Sequence, residues 1–291
     1  MKLSLITDEI SADPETAFEL GASWGVQDFE LRTVENNRVP SLTGYQKSRI
    51  QELLEEYGVR IAAISPGLFK CPYPGQERER FSLQAFDYSF YQQWQTARDL
   101  VKYHQEELLP ASLAYARELG AGIVVIFSFQ RDRASSHPVP DEVLEILHDA
   151  ALQAESLGLQ LAVEVENRFW ADTGLRTLDL IQRVNRPGLG INWDPGNAFE
   201  AGDVPYPGGY QAVRQHVRHV HFKDARRTSS GECVYVLEGE VDWAGQIEAL
   251  LDDHYQGFIS VETHMRPRVR SAEASLLRLQ RLIETARRTR A

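Results

Sequence analysis

The sequence predicts an α/β protein built as a single (β/α)8 barrel, the TIM barrel fold. Eight short apolar runs alternate with amphipathic helical segments from one end of the 291-residue chain to the other. Several helical segments end on glycine shortly before the next apolar run, which is the usual form of a helix-to-strand connection. After the first apolar run the chain reads ITDEIS, without the glycine-rich phosphate loop that a doubly wound sheet more often carries there.

Each predicted strand is a short apolar run, and each helical segment carries start or stop signals. The first helix begins with the capping candidate Asp13, has Pro14 at its first position and ends at Gly25. Later helical segments end at Gly58, Gly120 and Gly158. The eight predicted strands are residues 3–7, 27–32, 59–65, 122–128, 159–166, 189–194, 217–224 and 257–263.

The domain organisation follows from the regular alternation. No linker, repeat or low-complexity tract divides the chain, so residues 1–291 are expected to form one domain. The exception is an aromatic-rich insert at about 66–105, after the third predicted strand. A long loop at that end of a barrel is expected to form a lid or a wall of the pocket.

Composition and charge narrow the class of protein. The net charge of −11 disfavours a nucleic acid partner, because phosphate binding depends on Lys and Arg. Cys71 and Cys233 are far apart and form no CxxC motif, which indicates reduced thiols. No apolar stretch approaches the about 20 residues of a membrane span, and the N-terminal run is too short for a secretory signal. We therefore expect a cytoplasmic protein with no membrane partner, for which a homo-oligomer remains an open alternative.

Four polar side chains stand at the carboxyl ends of predicted strands five to eight. They are Glu164, Asp194, His221 and Glu262. Adjacent strands lie about 4.8 Å apart, so these side chains should converge at the catalytic end of the barrel. Three unpaired carboxylates would repel one another unless a cation neutralised them. The set therefore predicts one divalent metal ion, which such ligands allow to be Mn²⁺, Mg²⁺, Co²⁺ or Zn²⁺.

Simpler explanations exist for each of these residues taken alone. Glu166 is a rival ligand, because residues 164 and 166 share one face of a strand. Asp194 stands before a Pro-Gly turn and could simply cap it. His221 could be a hydrogen-bonded core histidine, and His219 on the same face is the less favoured ligand. The four together favour the metal site.

Five motifs resemble a known family. EVENRF (164–169), WDPGN (193–197), HVHFKD (219–224), SVETH (260–264) and the opening LITDEIS are similar to the xylose isomerase-like superfamily of sugar isomerases and epimerases. Its members include hydroxypyruvate isomerase, D-tagatose 3-epimerase, inosose dehydratase and the apurinic endonucleases. The resemblance implies that Glu164, Asp194, His221 and Glu262 bind the metal. It also implies that Glu164 and Glu262 exchange protons with carbon from opposite sides of a small sugar-like substrate.

The substrate-binding residues follow partly from the same resemblance. Arg227 stands where the 3-epimerases place a substrate-binding arginine, but Asn197 replaces their histidine and Trp170 a further glutamate. Lys223 follows another branch, so the epimerase substrate is not implied. We expect substrate contacts from six residues: Lys223, Arg227, Asn197, His264, Glu30 and Arg32.

Structural alternatives stay open for several of these contacts. Glu30 and Arg32 could pair with each other inside the barrel, and Lys223 could pair with Asp224 or another carboxylate. Arg227 could be a solvated loop cation. Among the aromatic residues of the insert, Phe69 and Trp94 are candidates for stacking on a sugar.

The chemistry that fits this residue set is proton transfer next to a carbonyl. A metal chelated by an α-hydroxy ketone acidifies the neighbouring C–H, and a carboxylate removes the proton to leave a metal-bound enediolate. The expected function is therefore a metal-dependent isomerase or epimerase of a small polyhydroxy carbonyl compound. A dehydratase of the inosose dehydratase kind is the alternative. A non-catalytic sugar-binding barrel and an apurinic endonuclease, which needs more metals and a basic groove, are less favoured.

Overall fold

The fold is a closed barrel of eight parallel strands, as the sequence predicted. A computed structural model of the chain describes residues 1–73, 96–131 and 138–290. The last strand, Phe258–Val261, pairs with the first, Lys2–Ile6, to close the ring, and Leu3 lies opposite Ile259 in that register. In chain order, β1 to β8 are Lys2–Ile6, Asp28–Leu31, Arg60–Leu68, Ile123–Ile126, Gln160–Glu164, Leu189–Trp193, Val217–Phe222 and Phe258–Val261.

Helices follow the strands and cover the outside of the barrel. Asp13 caps the second helix as predicted, since its carboxylate accepts the amide of Thr16 at 3.0 Å. The α-helices are Thr7–Ile10, Pro14–Ser23, Gly44–Tyr57, Ala97–Tyr103, Leu109–Glu118, Asp141–Ser156, Gly174–Val184, Pro195–Glu200, Tyr210–Val213, Trp243–Asp252 and Arg268–Arg288. Two π-turns, His104–Leu108 and Pro205–Gly209, and the 3-10 turn Arg214–His216 complete the helical elements of the described residues.

Two short hairpins extend the carboxyl ends of β2 and β7. Thr33–Val34 pairs with Asn37–Arg38, and Ala225–Arg227 pairs with Cys233–Tyr235, both antiparallel. The alternation of apolar runs did not predict them. Because they follow β2 and β7 directly, they stand at the end of the barrel where the catalytic residues were expected.

The predicted insert is partly described. Residues 74–95, which include Trp94, lie outside the described residues. On one side of them β3 continues to Leu68, further than predicted, and on the other the chain forms the helix Ala97–Tyr103. Phe69 is fully buried and packs against Phe129, with 4.9 Å between the ring centroids. Phe69 is therefore part of the core and is not exposed for stacking on a sugar.

The hydrophobic core lies between the strands and the helices. Phe29 of β2 packs edge-on against Phe18 of the helix Pro14–Ser23, with 5.0 Å between the centroids. Gly21 of that helix allows the contact, since a Cβ there would lie 2.4 Å from the Phe29 ring. No helix among the described residues combines the length and the apolar character needed to cross a membrane.

The inside of the barrel is polar. Its fully buried side chains include Ser4, Glu30, Asn192, His219 and Ser260. These groups form the floor beneath the carboxyl ends of the strands. The site described next lies directly above them.

Candidate metal and active site

The four residues at the ends of β5 to β8 form one buried cluster. His221 Nδ1 lies 3.7 Å from Glu164 Oε1, 3.7 Å from Asp194 Oδ2 and 3.3 Å from Glu262 Oε2. One ligand atom from each of the four residues lies within 4.8 Å of all the others. All four side chains are buried. We call Glu164, Asp194, His221 and Glu262 the ligand cluster.

The ligand cluster fits a divalent cation. His221 Nδ1 is buried and makes no hydrogen bond, yet it faces three carboxylates. A buried polar atom without a partner is rare and costs free energy, whereas an ion between these four groups would satisfy it. Three carboxylates and one imidazole are also a usual donor set for Mn²⁺, Mg²⁺, Co²⁺ or Zn²⁺.

Asp194 is both the turn cap and a cluster member. Its Oδ1 accepts the backbone amide of Asn197 at 2.9 Å, which caps the helix Pro195–Glu200. Its Oδ2 faces His221 and Lys223 instead. The two explanations considered for this residue are therefore compatible, since each oxygen serves one of them.

Glu30 holds His221 from below. His221 Nε2 lies 3.1 and 3.2 Å from the two Glu30 oxygens, and Glu30 also contacts His219 Nε2 at 2.8 Å and the hydroxyl of Ser65. Burial disfavours a charged His221, but Glu30, Glu164 and Glu262 more than offset this and raise its pKa well above the usual value. A carboxylate on one ring nitrogen turns the other toward the ligand cluster.

Lys223 supplies a buried positive charge beside the cluster. Its Nζ lies 3.0 Å from Asp194 Oδ2 and 2.7 Å from Glu262 Oε2. Burial opposes the charged form, but these carboxylates raise the pKa of Lys223 well above its usual value. Asp224 binds Arg278 at 2.7 Å instead. Lys223 was considered either as a substrate contact or as the partner of Asp224 or another carboxylate. In the structure it forms an ion pair, and its partners are Asp194 and Glu262 of the ligand cluster.

Arg32 connects the cluster to the end of β1. Its guanidinium lies 2.5 Å from Glu262, 2.7 Å from Glu9 and 3.0 Å from Asp8. The alternative in which Arg32 pairs with Glu30 is wrong, since Arg32 pairs with Asp8, Glu9 and Glu262 instead. Two residues along a strand span about 7 Å, so Glu30 reaches the barrel floor while Arg32 reaches its rim.

His264 lies between two carboxylates at the rim. Its Nε2 is 3.3 Å from Glu262 Oε1 and its Nδ1 is 3.2 Å from Glu9 Oε1. Burial opposes protonation, but the two carboxylates raise the pKa of His264 to about 9. His264 is therefore a cation at neutral pH.

Asn197 holds two neighbouring carboxylates in place. Its Nδ2 lies 3.3 Å from Glu164 Oε1 and 3.0 Å from Glu166 Oε2. Glu166 also pairs with Lys70 at 3.4 Å, and burial raises the pKa of Glu166 although Lys70 opposes the shift. Glu166 therefore contacts Lys70 and Asn197, whereas Glu164 is the glutamate of this strand end that belongs to the ligand cluster.

A cavity of about 540 Å³ opens above the ligand cluster. Glu164, His221, Glu262, Arg32, Asn197 and His264 line it, together with Glu166. This volume suits a small molecule. The residues that sequence reasoning had not placed in the lining include Arg38, Lys70, Phe127, Arg168, Glu200 and Tyr235.

The sequence profile of the family described as xylose isomerase-like TIM barrel matches residues 18–282. The chain belongs to this family. Among its curated relatives is an inosose dehydratase from Lactiplantibacillus plantarum, which is 23% identical over 281 residues, covering 86% of this chain and 91% of the relative.

Solved structures share the xylose isomerase-like fold. D-psicose 3-epimerase from Clostridium cellulolyticum H10, solved with D-tagatose, is 16% identical, with a TM-score of 0.68 over 97% of this chain and 99% of that one. A xylose isomerase-like TIM barrel protein from Mycobacterium smegmatis, solved in complex with magnesium, is 18% identical, with a TM-score of 0.66 over 94% and 89%.

Three of the expected substrate contacts of this xylose isomerase-like chain lie outside the cavity lining. Arg227 is exposed on the second hairpin, where its guanidinium donates to Phe199 O at 2.9 Å and stacks over the Phe199 ring. Glu30 is fully buried in the floor. Lys223 touches the ligand cluster but is likewise absent from the lining.

The overlooked lining residues of the xylose isomerase-like site come mainly from loops. Tyr235 lies on the second hairpin, where its hydroxyl donates to Glu200 at 2.7 Å and its ring stands 5.4 Å from that of His264. Phe127 directly follows β4, so the strand-end rule that selected Glu164 could have found it. Arg38 belongs to the first hairpin, whose two-residue strands carry no recognisable period.

Proposed function

We propose that this chain is a divalent-metal-dependent isomerase or epimerase of a small sugar or other polyhydroxy carbonyl compound. The observation that supports it most is a pair of cavity-lining carboxylates, Glu164 and Glu262, that lie 3.7 and 3.3 Å from His221 Nδ1. A divalent cation held by the ligand cluster would polarise a substrate carbonyl and acidify the neighbouring C–H.

Glu164 has the oxygen best suited to accept a proton from carbon. Its Oε1 accepts the amide of Asn197, whereas its Oε2 makes no hydrogen bond to any described residue. Burial disfavours the charged form, but His221 offsets this and lowers the pKa of Glu164, so the carboxylate is ionised at neutral pH. An ionised oxygen that faces the cavity can act as a general base.

Glu262 is the second proton-transfer group. Burial disfavours its charged form, yet Lys223, His264 and His221 hold its pKa well below the usual range. His264 Nε2 lies 3.3 Å from Glu262 Oε1 and carries a proton at neutral pH. If Glu164 removes the proton and a proton returns from the Glu262 side to the other face of the same carbon, the product is an epimer. If the proton returns to the adjacent carbon, the product is an isomer.

A dehydratase is the alternative function. It is favoured by the inosose dehydratase that resembles the chain over 86% of its length. The same proton abstraction, followed by loss of a β-hydroxyl group as water, would give an unsaturated product. His264 at the cavity wall could protonate the departing hydroxyl.

The experiment is solvent exchange at carbon. The Mn²⁺-loaded protein is incubated in D₂O with a panel of ketoses, α-hydroxy ketones and inososes, and deuterium incorporation is followed by NMR. We expect exchange at the carbon next to the carbonyl of at least one compound. A new ultraviolet absorbance with a deoxy-keto product would instead identify the dehydratase.

The variant Glu262→Gln separates catalysis from binding. At a Mn²⁺ concentration that saturates the variant, which has lost one ligand of the cluster, we expect turnover to be lost while the compound is still bound, because the amide cannot accept a proton. Failure of the metal-loaded protein to exchange any panel member would contradict the proposed function. Binding of a panel member without exchange would favour a non-catalytic sugar-binding barrel.

A further inference from the structure

Arg38 is a cavity-lining cation without an ionic partner. Its Nε donates to the backbone carbonyl of Ser65 at 3.0 Å, and it makes no ion pair with any residue that the structure describes. A guanidinium has five N–H donors, so four of them remain available on its two terminal nitrogens. The free donors of a guanidinium match the two oxygens of a carboxylate or phosphate group.

Three other cations of the cavity are paired with carboxylates. Arg32 binds three carboxylates, His264 lies between Glu9 and Glu262, and Lys70 pairs with Glu166 at 3.4 Å. Arg38 differs from these three, since it is half-buried and its one hydrogen bond goes to an uncharged carbonyl. The terminal nitrogens of Arg38 are not fully buried, so an anion in the cavity can reach them.

The backbone around Arg38 accommodates its guanidinium. Gly67 adopts φ +78°, and a Cβ at that position would lie 3.0 Å from Arg38 Nε. A side chain at residue 67 would therefore push the guanidinium away from Ser65 O. Gly67, which has no side chain, and the carbonyl of Ser65, which accepts the hydrogen bond, together allow Arg38 to lie at the wall of the cavity.

Arg38 and the ligand cluster come from strands on opposite sides of the barrel, and Arg38 lines the same cavity as Glu164, His221 and Glu262. Arg38 follows β2 and contacts residues of β3, whereas the ligand cluster comes from β5 to β8. In the ring order the strands β2 and β3 stand across from β6 and β7. A chain-like substrate in this cavity whose carbonyl lies at the ligand cluster can therefore reach Arg38 with its other end.

We propose that Arg38 binds a terminal anionic group, a carboxylate or a phosphate, on the polyhydroxy carbonyl substrate. The inference rests on the proposed function for the kind of substrate and adds the charge at its far end. Binding energy from this remote group would also help to orient the reacting carbon at Glu164 and Glu262.

The test is equilibrium binding to matched probes. The four D-2-ketohexoses are compared with derivatives that carry a carboxylate or a phosphate at C6, using calorimetry on the Mn²⁺-loaded protein at constant ionic strength. We expect the best charged probe to bind roughly 10- to 100-fold more tightly than its neutral parent. The stronger of the two charged series tells carboxylate from phosphate.

Variants identify the residue responsible. Arg38→Gln should abolish the preference for charge, because it weakens binding of the charged probe much more than binding of the neutral ketose. Arg38→Lys should keep part of the preference. Arg117→Gln is the matched control, because Arg117 is exposed on the helix Leu109–Glu118, outside the cavity lining.

Two results would overturn the inference. One is the absence of any preference for charged probes, including failure of all charged probes to bind. The other is a preference that survives unchanged in Arg38→Gln. Tight binding of a charged probe without proton exchange would count against the proposed function alone. Turnover of neutral ketoses with no preference for charge would count against the anion site alone.

Discussion

Lys223 Nζ lies 2.7 Å from Glu262 Oε2, and the same ammonium group lies 3.0 Å from Asp194 Oδ2. One buried cation therefore neutralises two carboxylates of the ligand cluster. A divalent cation would neutralise the same carboxylates, so the contributions of Lys223 and of a bound metal to stability should partly replace each other.

Replacing Lys223 by Met tests this relationship. We expect the free energy of unfolding in EDTA to fall by about 3–5 kcal/mol, because the carboxylates are left buried without compensation. Saturating Mn²⁺ should then restore more stability to the variant than it adds to the parent. Urea unfolding with EDTA or Mn²⁺ measures both quantities.

The control for Lys223→Met is Lys102→Met, at a lysine on the helix Ala97–Tyr103 whose side chain is 68% exposed. It should change stability by less than about 1 kcal/mol in either condition. Equal gains from Mn²⁺ in the parent and in Lys223→Met would show that the ammonium group and the metal do not share these carboxylates.

Glu30 is expected to govern metal affinity without contacting the metal. The substitution Glu30→Gln removes the carboxylate that faces His221 Nε2 at 3.1 and 3.2 Å. Loss of such a partner typically lowers metal affinity 10- to 100-fold. Competition titration with Mn²⁺ and a chelator measures the change.

Glu55→Gln provides the matched control for Glu30→Gln. Glu55 is exposed on the helix Gly44–Tyr57, and its substitution removes the same negative charge. It should leave Mn²⁺ affinity unaltered. If Glu30→Gln bound Mn²⁺ as the parent does, orientation of His221 by Glu30 would be refuted.

Glu164 and Glu166 should differ sharply as metal ligands. The amide variant of Glu164 should lose on the order of 100-fold or more in Mn²⁺ affinity, because a ligand contributes more than the groups that orient it. Glu166→Gln should lose only a few-fold, since Glu166 contacts Asn197 and Lys70. The two variants serve as controls for each other in one titration, and the reverse order would make Glu166 the ligand.

The fold and the ligand cluster could be predicted from the sequence because the patterns that indicate them are local. Each strand is a short apolar run, and in a parallel barrel the carboxyl ends of all strands meet. Glu164, Asp194, His221 and Glu262 each stand at such an end, so topology alone brings them together. The same rule could have identified Asp8, which follows β1 and binds Arg32 at 3.0 Å.

The remaining parts of the site depend on contacts that spacing does not encode. Arg38 and Tyr235 come from hairpin strands of two and three residues, which are too short to show a period. Glu30 and Arg32 share a strand face, yet one turns to the floor and the other to the rim. Neighbouring strands and loops, not the local sequence, decide that Glu30 contacts His219 and His221 and that Arg32 contacts Asp8, Glu9 and Glu262.

His104 should make the stability of the fold depend on pH. It is buried, its Nδ1 accepts the amide of Phe69 at 2.8 Å, and burial lowers its pKa to about 3 from 6.5. Below pH 6.5 the unfolded chain binds a proton that folded His104 does not, so stability falls as the pH drops from 6.5 toward 3. At pH 5 the loss should reach about 2 kcal/mol.

His104→Asn keeps an acceptor without a titrating group, so urea unfolding at pH 7 and 5 should show the parent losing about 2 kcal/mol more than the variant. Parallel losses in the two proteins would mean that His104 is protonated in the folded chain.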